Sequence, residues 1–213
     1  MCSSIVKYAV LDVDGVVVKY RSSWQYIHEI LGCKDIADMH REAAFRKLIN
    51  YKDWAFIDTF LWRGYSRDSI KMKFDDLIPG VLDLLKILKK YRVWIVMVSG
   101  GLELAYELVR DYVDLYISNS IVYRDGKVYS ISVRVCSKDC IAKILENIIN
   151  IDWSRTIAIG DSRIDIPILA RARYSIAFNP LDDEVGKVAK FVVYSLDMYP
   201  VVNIVKAILD KTL

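Results

Sequence analysis

The stretch YAVLDVDGVVVKYRSSW, residues 8–24, is apolar for four residues, then sets two carboxylates one residue apart ahead of a glycine. Residues i and i+2 of a strand share a face, so Asp12 and Asp14 can aim at one spot beyond the strand's carboxyl end. Two such anions repel unless a cation lies between them or one holds a proton. The pair is therefore a candidate for metal binding or acid–base work, with two solvated loop aspartates as the plainer alternative. Three further positions bear on the choice. VWIVMVSGG (93–101) ends in Ser99, Gly100 and Gly101, a hydroxyl and open backbone that suit a phosphate oxygen. TIAIGDSRID (156–165) ends in Asp161 and Ser162, with Asp165 four residues past Asp161. Between them Lys138 opens a helical pattern and offers a point charge to an anion. Singly, these read as a turn serine, a solvated lysine and helix-capping aspartates. Together they describe a place for a phosphate and a hard divalent cation such as Mg²⁺, which prefers oxygen ligands.

Such groups need strands to carry them. Short apolar runs alternate with amphipathic stretches, which predicts an α/β fold with a Rossmann-like parallel sheet. Strands are expected at 5–13, 93–98, 115–118, 156–159, 175–178 and 191–194. Several lack alternation, as strands buried on both faces do. Helices are expected at 81–91, 102–112, 138–150, 164–172 and 201–210. The Asp125-Gly126 pair in YRDGKV marks a hairpin turn. Ligands in open sheets of this kind bind at the carboxyl ends of the strands, where the polar groups fall.

Residues 22–77 break the rhythm, since they contain no convincing strand. Ser22 with Gln25 resembles a capping box, and Gly32 and Gly64 look like helix stops. We read 1–20 and 78–213 as an α/β core and 21–77 as a helical cap inserted after the first strand. Trp24, Trp54, Phe56, Phe60 and Trp62 are expected to form the cap's own small core, and His28 and His40 to be structural.

Composition bounds the rest. The chain has 213 residues, 54% apolar, which supplies a substantial core and argues against disorder. Its net charge of +3 comes without a dense basic tract, so no nucleic-acid partner is indicated. No apolar run approaches the roughly 20 residues of a membrane span, and the first residues lack a signal-peptide layout. The four cysteines form no Cys-x-x-Cys pair and are expected to be reduced thiols. A cytoplasmic protein, monomeric or homodimeric, is the expectation.

The ordered set DVDGV (12–16), VSGG (98–101), Lys138 and GDSRID (160–165) resembles the haloacid dehalogenase superfamily of phosphatases. The run from Pro79 to Gly101 looks particularly like its phosphoserine phosphatase-like subgroup, which carries a small cap between the first two motifs, where the helical insert falls here. The resemblance implies that Asp12 attacks phosphorus and becomes an aspartyl phosphate, and that Asp14 is the general acid and base. It implies Mg²⁺ held by Asp12, Asp161 and the Asp14 backbone carbonyl, with Asp165 in support. Ser99, the Gly100 amide and Lys138 would cradle the phosphoryl oxygens of a small-molecule phosphomonoester.

The chain also departs from that subgroup. Nine residues past Asp12, where the subgroup has the glutamate that recognises an amine, stands Arg21. The cap arginine that recognises a carboxylate aligns with Asp58, and the asparagine of GDGAND is Ile164. The expectation is a phosphomonoester with a different distal part. On one reading Arg21 meets an anionic group there, with Asp58 also near the substrate. On the other, Arg21 is a rim residue or pairs with Asp58 inside the cap. A phosphotransferase using the same intermediate is the alternative enzyme, and a receiver-like phospho-acceptor module the more distant one.

Overall fold

The computed structural model describes residues 6–135 and 138–210, and for 138–140 the backbone alone. Seven strands form one sheet: β1 (Tyr8–Leu11), β2 (Trp94–Leu102), β3 (Leu115–Arg124), β4 (Lys127–Ser132), β5 (Thr156–Gly160), β6 (Tyr174–Phe178) and β7 (Phe191–Val193). Their order is β4-β3-β2-β1-β5-β6-β7, parallel throughout except for the β3–β4 hairpin. At the hairpin turn Asp125 and Gly126 both take positive φ, as its two-residue connection demands. The chain builds outward from β1 to β3 and then returns to add β5 on the other side. That reversal puts a topological switch point between β1 and β5, where side chains leaving the strand ends face an open crevice.

The period-two pattern sorts the sheet's side chains between two cores. Ala9, Leu11, Ile95, Met97, Ile157 and Ile159 face one way, against helices α5 (Val81–Lys90) and α10 (Tyr199–Asp210). Tyr8, Val10, Val96, Val98 and Ala158 face the other, against α7 (Lys138–Ile149) and α8 (Ile166–Arg171). Both faces are covered, which is why β1 and β5 read as unbroken apolar runs. The short helix α9 (Asp183–Val188) sends Val185 into the second core.

Several elements differ from the sequence pattern: β3 runs on to Arg124, β4 and α9 are additional, β1 spans only Tyr8–Leu11, and two differences shape the site. β2 does not stop at Val98 but continues to Leu102, and its register against β3 shifts between those residues. Val98 stands opposite Ile117 and Leu102 opposite Asn119, so four steps on β2 pass two on β3. The surplus lifts Ser99, Gly100 and Gly101 out of the ladder as a bulge. The helix expected at 102–112 shortens to a 3₁₀ turn at Glu103–Ala105 and α6 (Tyr106–Val109). The Glu103 carboxylate accepts the Ile121 N–H at 2.8 and 3.0 Å, tying this connection to β3.

Between β1 and α5 run four helices, α1 (Ser23–Ile30), α2 (Lys34–Phe45), α3 (Tyr51–Leu61) and α4 (Arg67–Ile70), with a 3₁₀ turn at Phe74–Asp76. Ser22 caps α1 by accepting the Gln25 N–H at 3.3 Å. The strands of chain entering and leaving this segment pair with each other: Ile78 N–H donates to Val17 O and Lys19 N–H to Asp76 O. Residues 64–67 lie along the free edge of β4, with Gly64 N–H donating to Val128 O and Val128 N–H to Tyr65 O. The expected aromatic core is only partly there. Trp62 is fully buried and meets Trp24 and His28, but Phe56 and Phe60 are exposed, and Trp24 and Trp54 face a cavity.

Candidate active site

Asp12 follows the last residue of β1, and its N–H donates to Ile159 O at the end of β5, fixing the two strand ends side by side. Asp161 leaves β5 beside it. Gly15 makes the approach possible: its φ is +80°, and a Cβ there would stand 2.3 Å from Asp161 Oδ2. Asp165 turns back from the 3₁₀ turn at Arg163–Asp165. Its Oδ2 accepts the Asp161 N–H (3.1 Å), the Ser162 N–H (3.0 Å) and the Ser162 hydroxyl (2.9 Å), so it holds the Asp161 backbone in place. Asp12, Asp161 and Asp165 are all buried, and one oxygen of each lies within 4.8 Å of the others.

This donor set fits a hard divalent cation. Two carboxylates at that spacing repel by roughly 3 kcal/mol even at an effective dielectric of about 20. Three buried together, all oxygen donors on rigid strand ends, are the ligand chemistry of Mg²⁺.

Asp14 is held by the first turn of α1. Its Oδ2 accepts both the Ser23 N–H and the Ser23 hydroxyl at 2.8 Å, and the Ser23 oxygen accepts the Leu102 N–H at 2.8 Å. One buried serine thus connects the general acid–base candidate, the helical segment and the β2 bulge. Gly101 leaves room for it, because a Cβ there would lie 2.2 Å from Ser23 Oγ and 2.3 Å from Asp14 Oδ2. Ser99 is buried at the bulge, where its oxygen accepts the Gly101 N–H at 2.9 Å and its own proton remains for another acceptor.

A residue the sequence pattern did not single out organises the other side. Asn119, fully buried on β3, donates from Nδ2 to Gly100 O (2.9 Å), Tyr51 Oη (3.0 Å) and Val135 O (3.2 Å). Its Oδ1 accepts the Arg134 and Val135 N–H groups at 2.8 and 2.9 Å. It fixes the Gly100 peptide, meets α3 through Tyr51, and anchors the chain just before Lys138. Tyr51 itself donates to Gly100 O at 3.0 Å. Lys138 is the first residue of α7; its side chain lies outside the described residues.

Two expectations for the cap residues need correction. Asp58 does not reach the site. It is fully buried inside the helical segment, where His40 Nδ1 lies 2.7 Å from one carboxylate oxygen and His28 Nε2 3.5 Å from the other. Burial there pushes its pKa up to about 6, against the opposing pull of His40, and pushes buried His28 down to about 4. Arg21 does line the cavity but does not pair with Asp58. Its guanidinium donates to Asp161 Oδ2 at 2.8 Å and to Asn179 O at 3.1 Å. Asn179, held at positive φ and bonded to Ser195, is a partner 158 residues away that no local pattern announces.

Asp12, Asp14, Arg21, Ser99, Gly100 and Asp161 share one cavity of about 310 Å³, roofed by Trp24, Tyr51 and Trp54. Tyr116 stands near the carboxylates on β3. Burial first, then the charges of Asp14, Glu103 and Asp12, raise its phenol well above the usual range, so it stays protonated and is no base.

The fold and the site together define a doubly wound α/β hydrolase whose acidic centre lies at its strand ends. The chain belongs to the haloacid dehalogenase-like hydrolases, whose family model matches residues 9–170. Within that family it is similar to several phosphoserine phosphatases. The one from Methanocaldococcus jannaschii is 23% identical over 180 residues, covering 81% of this chain and 85% of that protein. A phosphoserine phosphatase structure described as a phospho-aspartyl intermediate analogue superposes with a TM-score of 0.72 at 19% identity, covering 93% of this chain and 98% of the other. A probable phosphoserine phosphatase from Vibrio cholerae, unliganded, gives a TM-score of 0.78 at 18% identity over 100% of this chain and 69% of its own. The chain is thus a hydrolase of this family that resembles phosphoserine phosphatases in sequence and fold. Among the described residues, no helix is long and apolar enough to cross a membrane.

Proposed function

We propose that this protein hydrolyses a small-molecule phosphomonoester through an aspartyl phosphate on Asp12. The observation that carries the reading is the buried cluster of Asp12, Asp161 and Asp165 at the switch point, of which Asp12 and Asp161 share one cavity with Asp14 and Ser99. In the first step an Asp12 carboxylate oxygen forms a bond to phosphorus as the ester P–O bond breaks. Asp14 gives its proton to the departing alcohol oxygen. In the second step Asp14 takes a proton from water, the water oxygen bonds to phosphorus, and the Asp12 carboxylate leaves with release of inorganic phosphate. Ser23 holds Asp14 in reach of both oxygens. Ser99 and the Gly100 backbone, fixed by Asn119, meet the phosphoryl oxygens, with Lys138 as their positive partner.

Asp12, Asp161 and the Asp14 backbone carbonyl are the residues that would hold Mg²⁺, with Asp165 supporting Asp161. The ion, when bound, neutralises charge on the transferring phosphoryl group. Residues 21–77 act as a cap over a core of 1–20 and 78–213, closing the cavity against water through the Tyr51–Gly100 and Ser23–Leu102 contacts. Phosphoserine itself is not the assigned substrate. Arg21 replaces a carboxylate that would meet an ammonium, and Asp58 is turned away into the cap.

Phosphate release over a broad panel of phosphomonoesters, with and without Mg²⁺, tests the proposal beside Asp12→Asn. Release that requires Mg²⁺ and falls about 10³-fold or more in the variant is expected. Undiminished turnover by Asp12→Asn would remove the covalent route. Phosphate found on an added alcohol instead of in solution would make the enzyme a transferase.

A further inference from the structure

The half of the cavity beyond the carboxylates has a composition of its own. From the helical segment it is walled by Trp24, Tyr51, Trp54 and Ala55, and from the opposite side by Ile164 and Leu181. Among the described residues, α1 to α3 contribute no charged side chain to it. Asp58, on α3, is sealed inside the cap with His28 and His40. Arg21, at the rim, is turned to Asp161 and the Asn179 carbonyl.

We infer that the alcohol part of the substrate is a flat, uncharged aromatic group seated in this chamber of Trp24, Tyr51 and Trp54. The inference rests on the phosphomonoesterase reading, since it takes Asp12 as the place of the phosphoryl group. The argument is one of solvation. A substrate ammonium or carboxylate seated against Trp24, Tyr51, Trp54 and Ala55 would leave water for walls that carry no charge of their own, and a buried unpaired charge is costly. A ring instead exchanges water for apolar surface and gains ring–ring contact with the indoles.

The surrounding contacts favour a ring over a quaternary ammonium, which aromatic walls can also hold. Tyr51 stands edge-on to Trp54, with centroids 6.0 Å apart and planes at 88°. Its hydroxyl is already engaged with Gly100 and Asn119. Trp24 lines the cavity and packs against buried Trp62, with centroids 5.4 Å apart and planes tilted by 45°. The volume, about 310 Å³ in all, suits a phosphate with a single ring and a short linker, at the small end of ligand sites.

Calorimetry on Asp12→Asn with Mg²⁺ separates the outcomes, using 2-phenylethyl phosphate, phosphoserine, choline phosphate and inorganic phosphate. The aromatic ester is expected to bind at least about tenfold tighter than inorganic phosphate, and phosphoserine no tighter than inorganic phosphate. Adding Trp24→Ala should remove the aromatic gain and leave inorganic phosphate binding unchanged, which also shows that the site is folded; Trp24→Phe should keep most of the gain. An aromatic ester that binds no tighter than inorganic phosphate overturns the inference while leaving the phosphatase reading standing. So does a preference for phosphoserine or choline phosphate. If inorganic phosphate binds neither this variant nor the wild-type protein in the presence of Mg²⁺, both readings fall.

Discussion

The strand ends and the helical segment face each other across one cavity but are built on different terms. At the strand ends, Asp12, Asp161 and Ser99 leave a sheet whose register is fixed by parallel ladders on both sides of β1. Their positions follow from the backbone, and each sits in a site that tolerates little change, as Gly15 and Gly101 show. The helical segment has no ladder to set it. It is placed by apolar packing of Ile27, Trp62 and Ile70 onto the sheet's core and by polar contacts, Ser23 on Asp14 and Leu102, Tyr51 on Gly100, with a short pairing of 64–67 with the edge of β4. The difference separates two tasks. On the proposed reading, the reaction chemistry rests on the strand ends and recognition of the rest of the substrate on the helical segment, with Ser23 and Tyr51 joining the two.

Four measurements would break or sharpen that contrast. The largest effect is expected from Asp14→Asn, which removes the acid–base group from the rigid side. Turnover should fall about 10²–10⁴-fold, while thermal melting stays near that of the wild type. A comparable loss from a change confined to Trp24 would contradict the division of labour.

Asn119→Ala attacks the joint between the two regions. It strands the Arg134 and Val135 N–H groups and removes the donor shared by Gly100 and Tyr51, so a stability loss of about 2–4 kcal/mol is expected in denaturant melts. Turnover should drop with it, because the Gly100 peptide loses its anchor. Stability unchanged by this substitution would show that the bulge holds itself.

Arg21→Ala tests the rim. The guanidinium lies 2.8 Å from an oxygen of Asp161, a carboxylate proposed to bind Mg²⁺, and its side chain is 41% exposed. Removing a partly screened positive charge beside a cation site should tighten Mg²⁺ binding several-fold, on the order of 1 kcal/mol, as read by metal titration. Weaker Mg²⁺ binding would mean that Arg21 instead orders Asp161 for the ion.

The smallest effect belongs to Asp58→Asn. Asp58 has its pKa raised to about 6, so the folded protein keeps a proton that the unfolded chain releases near 3.8. Its contribution to stability is present at low pH and is lost as the pH rises through about 6. Buried His28, lowered to about 4, acts in the opposite sense, with stability present above its unfolded value and lost as the pH falls toward 4. Asp38, Lys34, Arg41 and His40 also act on His28 electrostatically. The Asn variant should therefore gain in melting temperature relative to the wild type between about pH 4 and 6, by a few degrees. Inorganic phosphate binding should not change, since Asp58 does not itself line the cavity and reaches it only through Trp54. A change there would tie the cap's interior to the chemistry.

Legibility in the sequence followed the same line. β1, β5 and β6 were readable because strands covered on both faces must be apolar for several residues, and the break to Asp12 or Asp161 is abrupt. The helix expected at 102–112 failed because its first residue was taken up by β2, whose bulge extends the strand past a glycine pair. Ser23 was visible only as a neighbour of the cap residue Ser22, and Asn119 lay inside an ordinary strand pattern. The aromatics of the helical segment had the composition of a core. Only packing separated Trp62, which is buried, from Trp24 and Trp54, which line the cavity. Of the four cysteines, Cys33 is a free thiol and the others lie outside the described residues.

By itself, then, the sequence determined the α/β architecture, the order of its strands along the chain and the carboxylates at their ends. Period-two burial and the break from apolar to charged residues are local, and local patterns survive in one dimension. Tertiary structure alone decided which distant groups meet. It brought Arg21 to Asp161 across 140 residues, Ser23 to Leu102 across 79, and turned Asp58 inward to its histidines. Such contacts depend on how helices of ambiguous face settle on a finished sheet, and that choice is made by packing and by the cost of leaving buried polar groups unpaired.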